Sequence, residues 1–193
     1  MLTRRGLLVA GAAACLAAAE PIQTYRGYRI DLSKAQEARR PEIAAYVRQQ
    51  IDQIEAIPMA DRVKAWFRSV TIVINPEIRQ PGRYGRGRLE LSGAILPPDN
   101  PLLLHEMLHG YHFDHLPGGR TNPDILAAWN AAKALDRWPP RVYFLSGPGE
   151  FFAVTASIVL HGGADRPPWT RAGVKAAMPD WYDWVIREFA LKI

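Results

Sequence analysis

The sequence has few of the features that mark disulfide-stabilised, membrane-spanning or nucleic-acid-binding proteins. Its 193 residues include one cysteine, Cys15, so no disulfide can form within the chain. The formal net charge is only +5, from 24 Lys and Arg against 19 Asp and Glu, which argues against a nucleic-acid-binding protein. We find no internal repeat and no low-complexity segment. With 48% hydrophobic residues, the chain is expected to form one domain around one core.

The longest apolar run, residues 6–19, is also too short to span a bilayer, which needs about 20 residues. It follows Arg4 and Arg5 and ends in three alanines, which is the pattern of an export signal. The run "TRRGLL" resembles the twin-arginine export motif. We therefore predict a signal peptide at residues 1–19 and a mature, periplasmic or extracellular domain at residues 20–193. Lipoprotein anchoring through Cys15 is the alternative, although the usual Leu three residues before the Cys is missing.

Hydrophobic periodicity predicts an α+β chain. Residues 41–57 carry apolar side chains at steps of three and four, and residues 59–69 are predicted to form a second helix. Residues 24–33 and the β-branched segment 70–75 are predicted as strands.

Two further segments follow in the middle of the chain. The stretch "RQPGRYGRG" is interpreted as a Gly/Pro-rich loop with solvated arginines, an acidic ligand being the alternative. "RLELS", residues 88–92, alternates polar and apolar residues and is predicted as a half-exposed edge strand that can pair with an extended peptide. Asp99, Asn100 and Pro101 then predict a helix start, with a polar cap followed by Pro at the first helical position.

That helix contains the sequence H-E-x-x-H, formed by His105, Glu106 and His109. Residues four apart lie on one face of a helix, so both imidazoles can reach one Zn²⁺ while the intervening carboxylate reaches a water molecule bound to it. Apolar residues surround the motif, which indicates a buried helix, and buried imidazoles need partners that a metal can supply. The sequence therefore predicts a zinc site.

A catalytic zinc site needs a third protein ligand, and two residues compete for this position. His115 lies six residues after His109, the spacing of histidine-type (metzincin-like) zinc peptidases, but His112 stands where that pattern has a turn-forming glycine. Glu150 is the other candidate, because it follows the helix-breaking run "SGPG" and opens an apolar helix that reaches Leu160.

Beyond these ligands, "HEMLH" followed about forty residues later by "YFLSGPGEFFA" resembles the catalytic domain of anthrax lethal factor and the bacterial Pro-Pro endopeptidases, which are glutamate-type zinc peptidases (gluzincins). The resemblance implies that Glu150 is the third zinc ligand and that Tyr143, seven residues earlier, stabilises the oxyanion. The chain departs from the family at Val154, where an acidic residue commonly holds a zinc histidine. Asp114, Asp136, Thr155 or a backbone carbonyl would then have to take that role.

The remaining polar and aromatic residues have structural interpretations. His112 and His115 are interpreted as polar residues near a helix end, and His161 as a helix C-terminal residue facing the dipole. Trp181, Trp184, Val185 and Phe189 recur at helical spacing and predict a packing face.

The sequence thus predicts an exported, zincin-like α+β domain with a small twisted sheet, an HExxH helix and a second helix carrying a Glu ligand. The expected activity is zinc-dependent hydrolysis of a peptide or protein substrate through a zinc-bound water, with Glu106 as the base and Tyr143 as the oxyanion donor. Two alternatives stay open: a peptidase with His115 as third ligand, and a non-catalytic binding domain that zinc stabilises. No stable membrane span is expected after signal removal.

Overall fold

Five strands and seven α-helices form an α+β fold within the part of the chain that the computed structural model describes, residues 19–97, 99–139, 141–164 and 166–193. The strands are β1 (Ile22–Tyr25), β2 (Tyr28–Asp31), β3 (Ile72–Ile74), β4 (Gly82–Gly85) and β5 (Arg88–Leu91). The helices are α1 (Arg40–Ala56), α2 (Asp61–Ser69), α3 (Leu102–Gly110), α4 (Pro123–Ala134), α5 (Pro148–His161), α6 (Arg171–Ala177) and α7 (Pro179–Phe189). Residues 1–18 of the predicted export signal lie outside the described residues. No helix in the described ranges is both long and apolar enough to cross a membrane.

The strands pair into one mixed sheet in the order β1-β2-β3-β5-β4. β2, β3 and β5 run parallel, and α1 and α2 supply the long crossover that a parallel β2–β3 connection requires. β1 and β4 add antiparallel edges. Both hairpins turn through two residues of positive φ, Arg26-Gly27 and Arg86-Gly87, and such left-handed pairs match the twist of the flanking strands.

These hairpins correct three sequence predictions. The segment predicted as one strand, residues 24–33, is divided by the Arg26-Gly27 turn, and the arginine-rich stretch predicted as a loop contains β4. The predicted edge strand, β5, lies inside the sheet between β3 and β4, and it buries Leu89, Glu90 and Leu91. The alternation in "RLELS" wrongly predicted a half-exposed strand, because its polar residue Glu90 is buried. The Glu90 carboxylate accepts hydrogen bonds from the side chains of Asn75 and Arg83 at 2.9 and 2.6 Å.

The predicted apolar face of α1 is confirmed, since Ile43, Val47, Ile51 and Ile54 are all buried. The same helix also caps α3. Gln50 accepts a hydrogen bond from the backbone N–H of Leu103 at 3.1 Å and donates one to the carbonyl of Asn100 at 3.1 Å. α3 begins at Leu102. The side chain of Gln50, which is distant in sequence, accepts a hydrogen bond from a backbone N–H of the first turn, the role that was predicted for Asn100.

α5 lies in the middle of the helical layer and is buried continuously from Phe151 to Leu160. α7 covers it with the predicted packing face, in which Trp181, Val185 and Phe189 are buried, and Trp181 Nε1 donates to Thr155 Oγ1 at 2.8 Å. Burying side chains of this size contributes roughly 1.5–3 kcal/mol each. Because α5 also packs against α3, the two helices form a rigid base for the polar residues that they carry.

Candidate metal centre

α3 places His105 and His109 one turn apart on the same face. Their Nε2 atoms are 3.1 Å apart, and the two rings meet edge to face with centroids 4.7 Å apart. Apolar residues on the other faces, including Leu104 and Leu108, are buried in the core and hold the helix in this orientation.

α5 brings Glu150 to both histidines. The chain is extended at Gly147 and the helix begins at Pro148, so Glu150 lies in the first turn. Its Oε2 lies 3.4 Å from His105 Nε2, and its Oε1 lies 3.3 Å from His109 Nε2. These three side chains form a group of ligand atoms close enough together to hold a metal ion. The structure thus brings together the two histidines and the carboxylate that the sequence analysis named.

The spacing of these atoms fits zinc. Zn–N distances of about 2.0–2.1 Å and Zn–O distances of about 2.0–2.2 Å, in a tetrahedron, place neighbouring ligand atoms about 3.3 Å apart. The three separations observed are 3.1, 3.3 and 3.4 Å. Moreover, Glu150 Oε2 is buried without a hydrogen bond, as a carboxylate oxygen intended for a cation would be.

The protonation states also suit a metal. Burial lowers the pKa of His105 below its ordinary value, which favours the neutral imidazole. Burial by itself raises the pKa of Glu150, but the interactions of its carboxylate with both nearby histidines outweigh burial and hold that pKa below its usual range. Metal ligands must be deprotonated, and both pKa shifts act in that direction.

Glu106 lies beside this cluster and lines the same cleft, which has a volume of about 500 Å³. Its side chain is buried, and burial raises its pKa to about 7, with a further increase from Glu150, while His109 and the backbone amide of Tyr84 act in the opposite direction. A carboxyl group with a pKa near neutral pH is suited to accept and return a proton.

Tyr143 lies in a 3₁₀ turn, Tyr143–Leu145, directly before α5 and lines the cleft with Glu106 and Glu150. The residue is 48% exposed. Partial burial, followed by the neighbouring Glu150, raises its pKa, which keeps the phenol protonated as a hydrogen-bond donor. The guanidinium of Arg166 lies 5.7 Å from the centre of its ring.

His115 does not reach the metal cluster. After α3 the chain continues into a single π-helical turn, Tyr111–His115, rather than the sharp glycine turn of the histidine-type pattern. The His115 ring packs against Trp66 and Tyr111, with centroids 5.6 and 4.6 Å apart. No metal-binding group among the described residues includes it.

His112 lies near the helix end, as predicted, in the π-helical turn Tyr111–His115, but its side chain is part of the core. It is only 1% exposed and packs against the rings of Phe113 and Phe152. Burial lowers its pKa to about 4, so the ring is neutral and serves as part of the core. His161 is confirmed as the last residue of α5, followed by Gly162 with φ of 112°.

None of the proposed substitutes for the acidic residue missing at Val154 forms a hydrogen bond with His109 Nδ1. Asp114 accepts the hydroxyl of Tyr84 at 2.6 Å, and Thr155 donates to the carbonyl of Phe151 at 2.6 Å. The Nδ1 atom of His109 is buried and has no hydrogen bond, so neither Asp136 nor a backbone carbonyl bonds to it.

The sequence analysis did not identify residues 80–84 as part of the cleft. Residues 80–84, which include the start of β4, face the metal cluster across Glu106. Arg120 and Arg166 also line the cleft, and the Arg120 guanidinium lies 3.5 Å above the ring of Phe113. The available signal for β4 was the Arg86-Gly87 pair between two short alternating segments, which is typical of a two-residue hairpin turn.

Comparison with known proteins finds similarity among solved structures. No family model and no curated protein matches this sequence. Among solved structures, the chain is similar to the Pro-Pro endopeptidase PPEP-2 from Paenibacillus alvei, with a TM-score of 0.54 and 19% identity. The match covers 77% of this chain and 92% of that one. Taken with the sheet, the seven helices and the His-His-Glu group, this likeness confirms the predicted zincin-like α+β single-domain fold.

Proposed function

We propose that the protein is a zinc-dependent endopeptidase in which His105, His109 and Glu150 hold the metal. The observation that supports this most directly is the near-tetrahedral spacing of the three ligand atoms beside a buried carboxyl group, Glu106, in one open cleft. The fold shared with a Pro-Pro endopeptidase supports the same reaction class.

Zinc bound by these residues would polarise the scissile carbonyl and lower the pKa of a water molecule in the cleft. Glu106 accepts the proton of the attacking water and passes it to the leaving amine, because its carboxyl group lies against the cluster with a pKa of about 7. Tyr143, protonated and accessible, donates a hydrogen bond to the oxyanion that develops on the carbonyl.

The edge of the sheet in the cleft gives the substrate a binding surface. β4, and not β5, is the edge strand, and its residues 82–84 line the cleft. An extended peptide can pair with such an exposed strand through backbone hydrogen bonds. The peptide-binding role that the sequence analysis gave to "RLELS" is thus proposed for residues 82–84, which line the cleft.

We also propose that the peptidase acts after export. Under this proposal residues 1–19 are the signal peptide, residues 20–193 are the peptidase domain, and the substrate is a periplasmic or extracellular peptide or protein.

One observation favours a second candidate, a domain in which zinc only stabilises the fold. His109 Nδ1 has no partner and Val154 replaces the acidic residue, so the zinc histidine lacks the hydrogen bond that normally orients such a ligand. Zinc binding without turnover of any peptide would support this candidate.

The decisive experiment combines metal analysis with cleavage of a peptide library by the zinc-loaded protein. We expect about one zinc per chain and cleavage that a chelator abolishes. Glu106→Gln should retain the zinc and lose nearly all cleavage, because an amide cannot accept the proton. Protein prepared without chelator that contains no zinc, or a Glu106→Gln variant with unchanged activity, would contradict the proposal.

A further inference from the structure

β4 approaches the Glu106 side chain more closely than any residue with a Cβ atom would allow. A Cβ built on Gly82 would lie 2.8 Å from Cγ of Glu106, 3.0 Å from its Oε1 and 3.1 Å from its Cδ. Contacts under 3.0 Å essentially do not occur for real Cβ atoms. Gly82 does not have a positive φ, so space and not backbone conformation explains the glycine.

The contact is reciprocal, because α3 has a glycine of its own facing β4. A Cβ built on Gly110 would lie 2.5 Å from the ring of Tyr84 and 2.9 Å from that of Trp66. The Tyr84 hydroxyl then bonds Asp114 at 2.6 Å, just beyond the end of α3. Each element therefore supplies a glycine that receives a side chain of the other, which fixes the position of β4 along α3.

From this geometry we infer that Gly82 is a positioning residue for the catalytic base: its missing side chain sets where the Glu106 carboxyl group lies between β4 and the metal ligands. The role in catalysis depends on the proposed function, but the contact itself does not. A methyl group at residue 82 would push the carboxyl group out of its place. Displacements of about 1 Å in an active site can cost about 10²-fold in rate.

The strand offers a matched control. Gly85 lies on β4 outside the cleft, and a Cβ built there meets nothing within 4 Å. Gly85→Ala should therefore keep or slightly raise the thermal midpoint, since it lowers the entropy of the unfolded chain. Gly82→Ala, which overpacks a filled site, should lower the midpoint by about 3 °C or more.

A double-mutant cycle, measured by thermal unfolding in excess chelator, tests the contact without any need for activity. The three atoms nearest to the built Cβ all belong to Glu106, so Glu106→Ala removes the clash. Gly82→Ala should then change the midpoint by less than about 1 °C in the Glu106→Ala background. An equal loss in both backgrounds would overturn the inference.

Kinetics of the zinc-loaded protein test the role in catalysis. Gly82→Ala should bind about one zinc per chain, keep KM within about threefold and lower kcat about tenfold or more, while Gly85→Ala retains the kcat of the wild type. A Gly82→Ala variant with wild-type kcat would refute the positioning role even if the unfolding cycle shows coupling. If the wild-type protein cleaves no peptide, the proposed function fails, and the unfolding cycle alone decides whether Gly82 holds Glu106 in place.

Discussion

Replacing Glu150 with Ala tests most directly how the metal is held. The carboxylate lies 3.3 Å from His109 Nε2 and 3.4 Å from His105 Nε2, and it is the one carboxylate of the cluster. Glu150→Ala leaves only the two imidazoles of the cluster as candidate protein ligands. Its effect on zinc affinity should therefore exceed the roughly 10- to 100-fold that loss of a residue supporting a ligand costs.

The expected size can be worked out from the linkage between binding and stability. With free zinc at about 1,000 times Kd, bound metal stabilises the wild-type protein by about 4.1 kcal/mol. If Glu150→Ala weakens binding at least 100-fold, the same zinc concentration is at most about 10 times Kd, and the stabilisation falls to about 1.4 kcal/mol or less. At roughly 2–4 °C per kcal/mol for a chain of this size, the zinc-dependent rise in Tm should drop from about 8–16 °C to no more than about 3–6 °C.

The assay is thermal unfolding with zinc and with excess chelator, supported by a competitive chelator titration. His115→Ala is the matched control, because it removes the histidine that competes for the same role in the sequence. Its ring packs on Trp66 and Tyr111, so its loss should lower Tm equally with and without zinc and leave the zinc-dependent rise intact. A His115→Ala variant that loses this rise, together with a Glu150→Ala variant that keeps it, would refute the assignment of the third ligand.

Three other predictions address catalysis, acid stability and export. Tyr143→Phe should retain zinc and fold but lower turnover by about 10²-fold or more, the scale of one lost oxyanion donor; steady-state kinetics with near-normal turnover would remove Tyr143 from the mechanism. Burial raises the pKa of Glu90, but the hydrogen bonds of its carboxylate and the charge of Arg83 outweigh burial and lower that pKa overall. The ionised Glu90 therefore stabilises the folded state above the unfolded-state pKa of about 4.3, and this contribution is lost as pH falls through the lower folded-state pKa. The stability advantage over Glu90→Gln should therefore shrink between about pH 5 and pH 3 in denaturant titrations, and a gap independent of pH would disprove this. Arg4→Lys combined with Arg5→Lys should leave precursor in the cytoplasm, as fractionation would show, whereas normal export would point to the general secretory route.

Features that depend on neighbours in sequence were predictable. The H-E-x-x-H motif places two imidazoles on one helix face through the geometry of a single turn, and the structure has their Nε2 atoms 3.1 Å apart. The buried face of α1 and the packing face of α7 follow from the helical period in the same way. The glycines and proline before Glu150 correctly predicted that a helix starts there.

The burial of two polar residues, Glu90 and His112, was not predicted from the sequence. Glu90 occupies a polar position in the strand that was predicted to be half-exposed, and His112 was interpreted as a polar residue near a helix end. Both side chains are buried. For Glu90, the compensating partner Asn75 directly follows β3, and for His112 the aromatic partner Phe152 lies on α5. From residue type alone, a polar side chain is expected to be exposed. The partners that allow these two side chains to be buried lie far away in the sequence, so the sequence pattern does not reveal them.

The choice between Glu150 and His115 could not be made from local pattern alone, since either spacing is compatible with a zinc site. It depends on how α5 packs against α3, and on the π-helical turn that carries His115 toward Trp66 instead of the cluster. The sequence by itself determined the two histidines, the carboxylate between them and the helix that presents them, because all of these follow from the geometry of one turn. Only the tertiary structure decided that Glu150 lies beside the two histidines, that β4 lines the cleft and that a glycine lies against Glu106, because those positions are set by packing between segments far apart in the chain.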